Sequence, residues 1–277
     1  MPELPEVETV VRGLREPLVG HTIESVWYDW LPIVAEPDIE QFIARSIGQR
    51  VEAISRRAKY IIIHLQDAYL VVHLRMTGRL YVAEKDAEYN ADRWVHLKFG
   101  LDGGKELRFS NSRKFGRVSL LENLDSLEAK LGPEPLSDDF TPDIFAERMK
   151  KRNKVIKALL LDQSFIAGVG NIYADEALFG AGVHPTQRST DLTKAQVKTL
   201  YATVRDALNA GIEHEGASIS WYRKPDGTSG SSQKHFFVYG REGQPCHNCG
   251  RTIEKIRVAQ RGTHFCPQCQ PIKHAKT

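Results

Sequence analysis

Cysteine is scarce and confined in this chain: there are 4 among 277 residues, and none lies before position 246. A disulfide-dense secreted scaffold is therefore excluded for most of its length. Long apolar runs are missing too. Stretches such as Tyr60 to Ile63 and Tyr69 to Val72 fall far short of the roughly 20 residues that a helix needs to span a bilayer. The opening residues, MPELPEVE, lack the basic start and apolar core of a secretory signal. The expectation is a cytoplasmic protein with no membrane association. No internal repeat is present, and neither sign of charge dominates: 38 Lys and Arg stand against 35 Asp and Glu, a net charge of +3. With 41% apolar and 26% charged residues, the composition is that of an ordinary globular protein, long enough for two compact domains.

The charge that is present is unevenly placed. From Gly240 to Thr277 seven basic residues (Arg241, Arg251, Lys255, Arg257, Arg261, Lys273, Lys276) face only Glu242 and Glu254. A second run, Lys150-Lys151-Arg152-Asn153-Lys154, lies mid-chain. Basic patches on a near-neutral chain fit a polyanion held at one face. They fit solvated surface equally well, because Lys and Arg normally lie outside.

The pattern changes character once along the chain. Leu4, Val7, Val10, Val11 and Leu14 recur at helical spacing. From about Thr22 to Leu121 the chain reads as short strands rich in β-branched and aromatic residues, punctuated by Gly and Asp. That predicts a β-sandwich or barrel-like domain. Gly132-Pro133-Glu134-Pro135 reads as a linker, and helices follow: near Pro142, over Val155 to Leu161, after Gly170, and over Thr193 to Ile212, with Gly211 and Gly216 helping to end the last. The segment Lys224 to Lys234, poor in apolar residues, predicts a mobile loop. The fold class expected is α+β in two domains. Residues 1–131 form the first and 132–141 a linker. Residues 142–235 form a helical domain with a mobile loop near 217–235, and 236–277 hold the cysteines.

Those cysteines are arranged as Cys246-x-x-Cys249 and Cys266-x-x-Cys269. Two such pairs can complete a thiolate tetrahedron around one zinc ion. Two disulfides are the other possibility, disfavoured without a secretory signal. With sulfur at all four positions, the metal has no open site and is structural. The intervening Thr252 to Phe265 is long enough for a β-hairpin, with Gln260-Arg261-Gly262-Thr263 at its tip. Arg261 there is either a presented cation or a solvated hairpin residue.

Pro2 follows the initiator Met1, and loss of the methionine would expose a secondary amine. An α-amino group titrates near 8, far below a lysine, so a useful fraction is nucleophilic at neutral pH. Its attack on a sugar C1′ gives an iminium ion, an electron sink that acidifies the C2′ proton. Glu3 and Glu6 offer nearby carboxylates for proton transfer. The same residues also suit a plain helix start, where proline and acids are favoured.

Taken together, Met1-Pro-Glu-Leu-Pro-Glu-Val-Glu-Thr9, Ser55-Arg-Arg-Ala-Lys-Tyr60, His73-Leu-Arg-Met76, Arg113-Lys-Phe-Gly116, Ala167-Gly-Val-Gly-Asn-Ile-Tyr-Ala-Asp-Glu176, Val238-Tyr-Gly-Arg241 and Ala259-Gln-Arg-Gly-Thr263 resemble, in order, the bacterial formamidopyrimidine-DNA glycosylases. The resemblance covers almost the whole chain. It implies a β-sandwich catalytic domain with an N-terminal helix, joined to a helix–two-turn–helix domain with a four-cysteine zinc-finger hairpin, and DNA in the cleft between them. It implies base-excision repair of oxidised purines in double-stranded DNA by a monomer, with one structural zinc. Pro2 would form the Schiff base, Glu3 would move protons, Lys59 would assist β-elimination, and Arg261 would contact the phosphates flanking the lesion and assist δ-elimination. Met76, Arg113 and Phe115 would fill the void left by a flipped base. Lys157 and Asn171 would bind phosphate, and Glu6, His73 and Asn153 would also lie against DNA.

Three positions depart from the family pattern. Asp92-Arg93-Trp94 replaces a His-x-His segment, so Arg93 is the candidate substitute contact. Asn153 stands where some relatives have lysine, and Thr77 where several have glutamate, beside the everted base. Two other readings compete: an endonuclease VIII-like enzyme directed to oxidised pyrimidines, disfavoured by Leu4 and the complete void-filling triad, and a zinc-finger binder of damaged DNA without catalysis.

Overall fold

A computed structural model describes residues 1–89, 91–219 and 221–272. The chain folds into two compact units. One comprises residues 1–129 together with 214–231; the other comprises residues 130–213 together with the segment from Ser232 on.

The first unit opens with α1 (Leu4–Leu18), whose apolar stripe Leu4, Val7, Val11, Leu14 and Leu18 is wholly buried. Two sheets follow. β1 (Ile23–Tyr28), β2 (Val34–Glu36), β3 (Val51–Arg57), β4 (Tyr60–Leu65), β5 (Tyr69–His73), β6 (Gly78–Glu84), β7 (Val95–Leu101), β8 (Lys105–Asn111) and β9 (Arg117–Leu121) assort as β2-β9-β5-β4-β3 and β1-β7-β8-β6. Every pairing is antiparallel except β2 with β9. One core gathers Ile61, Ile63 and Val72 from the first sheet, Leu97, Phe99 and Phe109 from the second, and the buried face of α1. This is the expected sandwich. A helix that the sequence pattern does not reveal interrupts it: α2 (Ile39–Ser46) starts at Asp38, whose carboxylate accepts the Gln41 N–H at 3.0 Å, and buries Phe42. A short α3 (Asp125–Glu128) ends the run.

The second unit carries α4 (Pro142–Lys150), α5 (Ile156–Leu161), α6 (Asn171–Gly180) and α7 (Lys194–Glu213), then a hairpin of β10 (Glu254–Val258) and β11 (Arg261–Phe265). The hairpin turns at Ala259-Gln260, both at positive φ (48° and 60°). Arg261 therefore begins a strand instead of sitting in the expected four-residue tip. Gly211 does not end its helix either. α7 runs through it, and the missing side chain serves packing instead: a Cβ there would stand 2.5 Å from the Tyr173 ring.

The structure also differs from the expected division at residues 214–231, which pack on the first unit. Tyr222 is 7% exposed within the sandwich core, and Pro225 lies against Gly13 of α1. The polar composition that suggested mobility conceals this aromatic anchor. Lys224 N donates to Thr228 O at 2.9 Å, and Gly230 N to Ser218 Oγ at 3.0 Å, which gives the segment a defined path.

Gly211→Ala inside an α-helix would ordinarily stabilise it. Here the methyl must displace Tyr173, so a loss of about 1–3 kcal/mol is expected, read as a lowered thermal midpoint. A raised midpoint would contradict the close approach.

Candidate active site

The N-terminus is held by its own helix cap. Glu3 is the N-cap of α1, and a reciprocal pair joins it to Glu6: the Glu3 side chain accepts the Glu6 N–H, while Glu3 N donates to Glu6 Oε2 at 2.8 Å. Pro2 directly precedes this box and is buried, as are Glu3 and Glu6. The second oxygen of Glu6 accepts the Ala217 N–H at 2.8 Å. That contact is close: Gly216 has φ +80° and a Cβ there would lie 2.9 Å from Glu6 Cγ. Tyr222 completes the clasp, its hydroxyl donating to Glu215 O at 3.1 Å and to Glu6 O at 3.4 Å. Glu6 thus ties the residue after Pro2 to the segment 214–231.

Lys59 sits at the turn between β3 and β4, preceded by Ala58 at φ 53°, and is 5% exposed. The turn is fastened to α1 by Arg56, which donates to Glu8 Oε2 at 3.1 Å and to Ala58 O at 3.1 Å. Burial alone would raise the Glu8 carboxyl; the hydrogen bond from Arg12 and the charge of Arg56 outweigh it and hold it below its ordinary value. His73 pairs with Tyr60 in register, with ring centroids 4.6 Å apart. Burial, then the charges of Arg75 and Lys59, depress its pKa to about 3. The ring is therefore neutral at physiological pH, and its Nδ1 accepts the Arg75 N–H at 3.0 Å.

Met76, Arg113 and Phe115, separated in sequence, come together. Arg113 Nη1 lies 3.2 Å from Met76 Sδ, and its guanidinium stands 5.0 Å from the centre of the Phe115 ring. Met76 and Phe115 are 44% and 49% exposed, so they are not the sandwich core that their apolar character suggests. Thr77 links the two loops that carry them: its hydroxyl donates to Asn111 Oδ1 at 2.9 Å and accepts the Arg113 N–H at 3.2 Å. Beside these loops is a cavity of about 350 Å³ lined by Thr77, Arg79, Trp94, Ser112, Trp221 and Arg223 among others. Trp94 and Trp221 meet edge to face, with centroids 5.6 Å apart. Arg79 Nε and Ser112 Oγ are buried without a hydrogen-bond partner among the described residues. Arg93 stacks on Trp94 at 3.8 Å, whereas Asp92 is structural, accepting from Tyr81 Oη, Tyr89 N and Arg108 Nη1.

In the second unit the structure differs from expectation at Lys157. Its side chain is 0% exposed, with Nζ 2.5 Å from Asp175 Oδ1 and 2.8 Å from Asn171 O. An ammonium so enclosed by its own protein is not presented to a phosphate. Asn171 donates through Nδ2 to Gly262 O at 2.9 Å. Asn153 is exposed, its amide oxygen accepting from Arg188 Nε at 2.7 Å. Arg261 is exposed on β11.

The four cysteines form no disulfide, and their sulfurs all lie within 4.8 Å of one another. Cys249 and Cys266 are 3.5 Å apart and Cys246 and Cys269 3.9 Å. Zinc–sulfur bonds of about 2.3 Å in a tetrahedron place sulfurs roughly 3.8 Å apart. The donor set and its spacing fit one zinc ion and leave no position for substrate.

The chain was compared with known proteins. Residues 1–118 match the family described as the formamidopyrimidine-DNA glycosylase N-terminal domain, residues 131–223 its H2TH domain, and residues 243–272 a zinc finger found in FPG and IleRS. Formamidopyrimidine-DNA glycosylase of Chloroflexus aurantiacus is 49% identical over 274 residues, 98% of each chain, and that of Enterococcus faecalis is 43% identical over 277 residues, 99% of this chain and 98% of that one. The chain belongs to the formamidopyrimidine-DNA glycosylase family.

Solved structures of the family agree in fold. A mutant of the Lactococcus lactis enzyme, in complex with a Fapy-dG containing DNA, superposes with a TM-score of 0.91 at 38% identity, covering 98% of this chain and 100% of that one. A MutM structure with carbocyclic 8-oxo-G containing DNA gives 0.90 at 37% identity, with the same coverage. The two-domain α+β architecture and the zinc-binding cysteines are thus family features of this glycosylase. Sequence reasoning missed Arg56, Arg79, Tyr222, Trp221 and Asp175 as parts of the site's surroundings. Only the aromatic pair Trp221-Tyr222 in an otherwise polar segment gave a signal.

The protein should carry one zinc per chain. Cys249→Ser should lower DNA affinity before it lowers the stability of the sandwich, because a small finger depends on its metal for folding. Undiminished affinity in a protein verified as zinc-free would contradict this.

Proposed function

We propose that the protein excises oxidised purines, 8-oxoguanine and formamidopyrimidines, from duplex DNA and then nicks the strand. The observation that carries this reading is the position of Pro2, immediately ahead of the buried Glu3–Glu6 cap. The relatives solved on Fapy-dG and 8-oxo-G DNA support the substrate class.

With Met1 removed, the Pro2 nitrogen attacks C1′ of the damaged nucleotide while the glycosidic bond breaks. The bonding pair leaves with the base, which takes up a proton, and Glu3 is the group placed to move it. The proline nitrogen then gives up its proton, and its lone pair forms the iminium as the C1′–O4′ bond breaks and O4′ takes up a proton, opening the sugar ring. Loss of the C2′ proton expels the 3′ phosphate, and a second elimination expels the 5′ phosphate. Lys59 is assigned to proton transfer during base release as well as in β-elimination, and Arg261 to the flanking phosphates. Glu6 positions the residue after the nucleophile, and His73, neutral, supports the Lys59 turn. Met76, Arg113 and Phe115 take the place of the extruded base. The cavity beside Thr77 receives that base, with Trp94 and Trp221 as apolar walls and Arg79 and Ser112 offering unsatisfied polar atoms. Arg93, Asn153 and Asn171 are assigned to the DNA backbone. The zinc ion supplies rigidity to the finger and takes no part in the chemistry. A cytoplasmic monomer goes with this reading. Among the described residues no helix is long and apolar enough to cross a membrane.

The test uses duplexes carrying 8-oxoguanine, formamidopyrimidine or thymine glycol. Faster release of the two purine lesions is expected. A preference for thymine glycol would favour the endonuclease VIII-like alternative, and binding without cleavage a non-catalytic protein. Lys59→Ala should slow release of 8-oxoguanine by about 100-fold or more and affect a preformed abasic site less, because the open aldehyde reacts with Pro2 without departure of a base. Equal losses on both substrates would remove Lys59 from the base-release step.

A further inference from the structure

Helix α6 reaches the zinc hairpin with two side chains four residues apart, and both take hold of the same strand. Asn171 Nδ2 donates to Gly262 O at 2.9 Å, and Asp175 Oδ2 accepts the His264 N–H at 2.9 Å. Residues four apart share one helix face. Backbone groups two residues apart in a strand point to the same edge. The pair therefore occupies the edge of β11 opposite β10, as a third strand would, and Gly262 is the neighbour of Arg261. A slip of the hairpin by one residue would lose both bonds at once.

Asp175 can do this only because its charge is met. The carboxylate is 0% exposed, and the fully buried Lys157 lies 2.5 Å from its other oxygen while also donating to Asn171 O at 2.8 Å. A buried carboxylate without such a counter-charge would be protonated or expelled. The adjacent Glu176 holds the chain that leads into the finger, accepting the N–H groups of Phe237, Val238 and Tyr239 at 2.8, 3.0 and 2.8 Å. Tyr239 in turn packs its ring against His264, with centroids 5.0 Å apart.

We propose that Asp175, neutralised by Lys157, is a positioning residue for Arg261: its hold on the His264 N–H fixes the register and placement of β11, and with them the guanidinium that meets the lesion-flanking phosphate. The inference rests on the phosphate role given to Arg261 above. It also gives Lys157 a function that its burial permits, as the partner whose positive charge meets the Asp175 carboxylate inside the helical unit.

A double-mutant cycle on DNA affinity tests this, using a duplex with a stable abasic-site analogue and zinc content measured on every variant. Asp175→Leu alone strips the buried Lys157 of its counter-charge, so the cycle uses Lys157→Met/Asp175→Leu, which removes both charges and the acceptor of the His264 N–H. In the parent, Arg261→Ala should weaken binding by about tenfold, the loss of one charge-assisted contact. In the double-variant background, with one zinc still bound, the same change should cost less than about twofold, because the guanidinium is no longer held in place. Arg113→Ala, in the other unit, should cost the same factor in both backgrounds. An undiminished cost of Arg261→Ala in the double variant would overturn the positioning role alone. No cost in the parent would overturn the phosphate role itself, and this inference with it. If the double variant loses zinc, the cycle is repeated with Lys157→Met/Asp175→Ala, which cuts the same tie to the His264 N–H: a diminished cost of Arg261→Ala there supports the positioning role, and an undiminished cost, or loss of zinc again, overturns it.

Discussion

A nucleophile at the very start of a chain is useful only if that start is held still, and chain termini are ordinarily the least ordered part of a fold. The Glu3–Glu6 capping box meets this constraint. It satisfies two orphan amides of α1 that would otherwise need water and fixes the residue after Pro2 through a 2.8 Å bond. The apolar face of α1 is buried in the sandwich core, so the terminus inherits the rigidity of the largest apolar cluster in its unit. Glu6 then passes the same constraint outward, because its second oxygen holds Ala217.

The groups proposed to meet DNA are supported in the same manner, each by a polar contact to a more rigid element. Arg56 fastens the Lys59 turn to α1. Thr77 joins the loops that bear Met76 and Arg113. In the second unit Asn171 and Asp175 hold the strand that starts with Arg261. None of these supports needs to touch substrate. Sites of this kind depend on supporting contacts that lock the rotamers and backbone of the groups that do.

Much of this was legible in the sequence where the signal was local. The two CxxC pairs specified a four-sulfur cluster because ligand spacing is fixed by metal geometry. The helical period of Leu4, Val7, Val11 and Leu14 specified α1, and runs of β-branched and aromatic residues punctuated by Gly and Asp specified the strands. What was not legible depended on distant partners. Lys157 reads as a free cation until Asp175 is seen 18 residues on, and Asp175 grips an amide 89 residues away. α2 was hidden because it is short and lies among strands, although Ile39, Phe42 and Ile43 stand at helical spacing and Asp38 caps it. The segment after α7 reads as a loop by composition and is one among the described residues, but that composition does not show that Tyr222 anchors it in the sandwich core.

The central claim, that the held terminal amine is the attacking group, is tested most directly by borohydride reduction of the enzyme on an 8-oxoguanine duplex, followed by peptide mapping of the trapped adduct. The account predicts one protein–DNA adduct, at Pro2, which disappears when Met1 is retained. An adduct mapped to Lys59, or one that persists with Met1 in place, would contradict it.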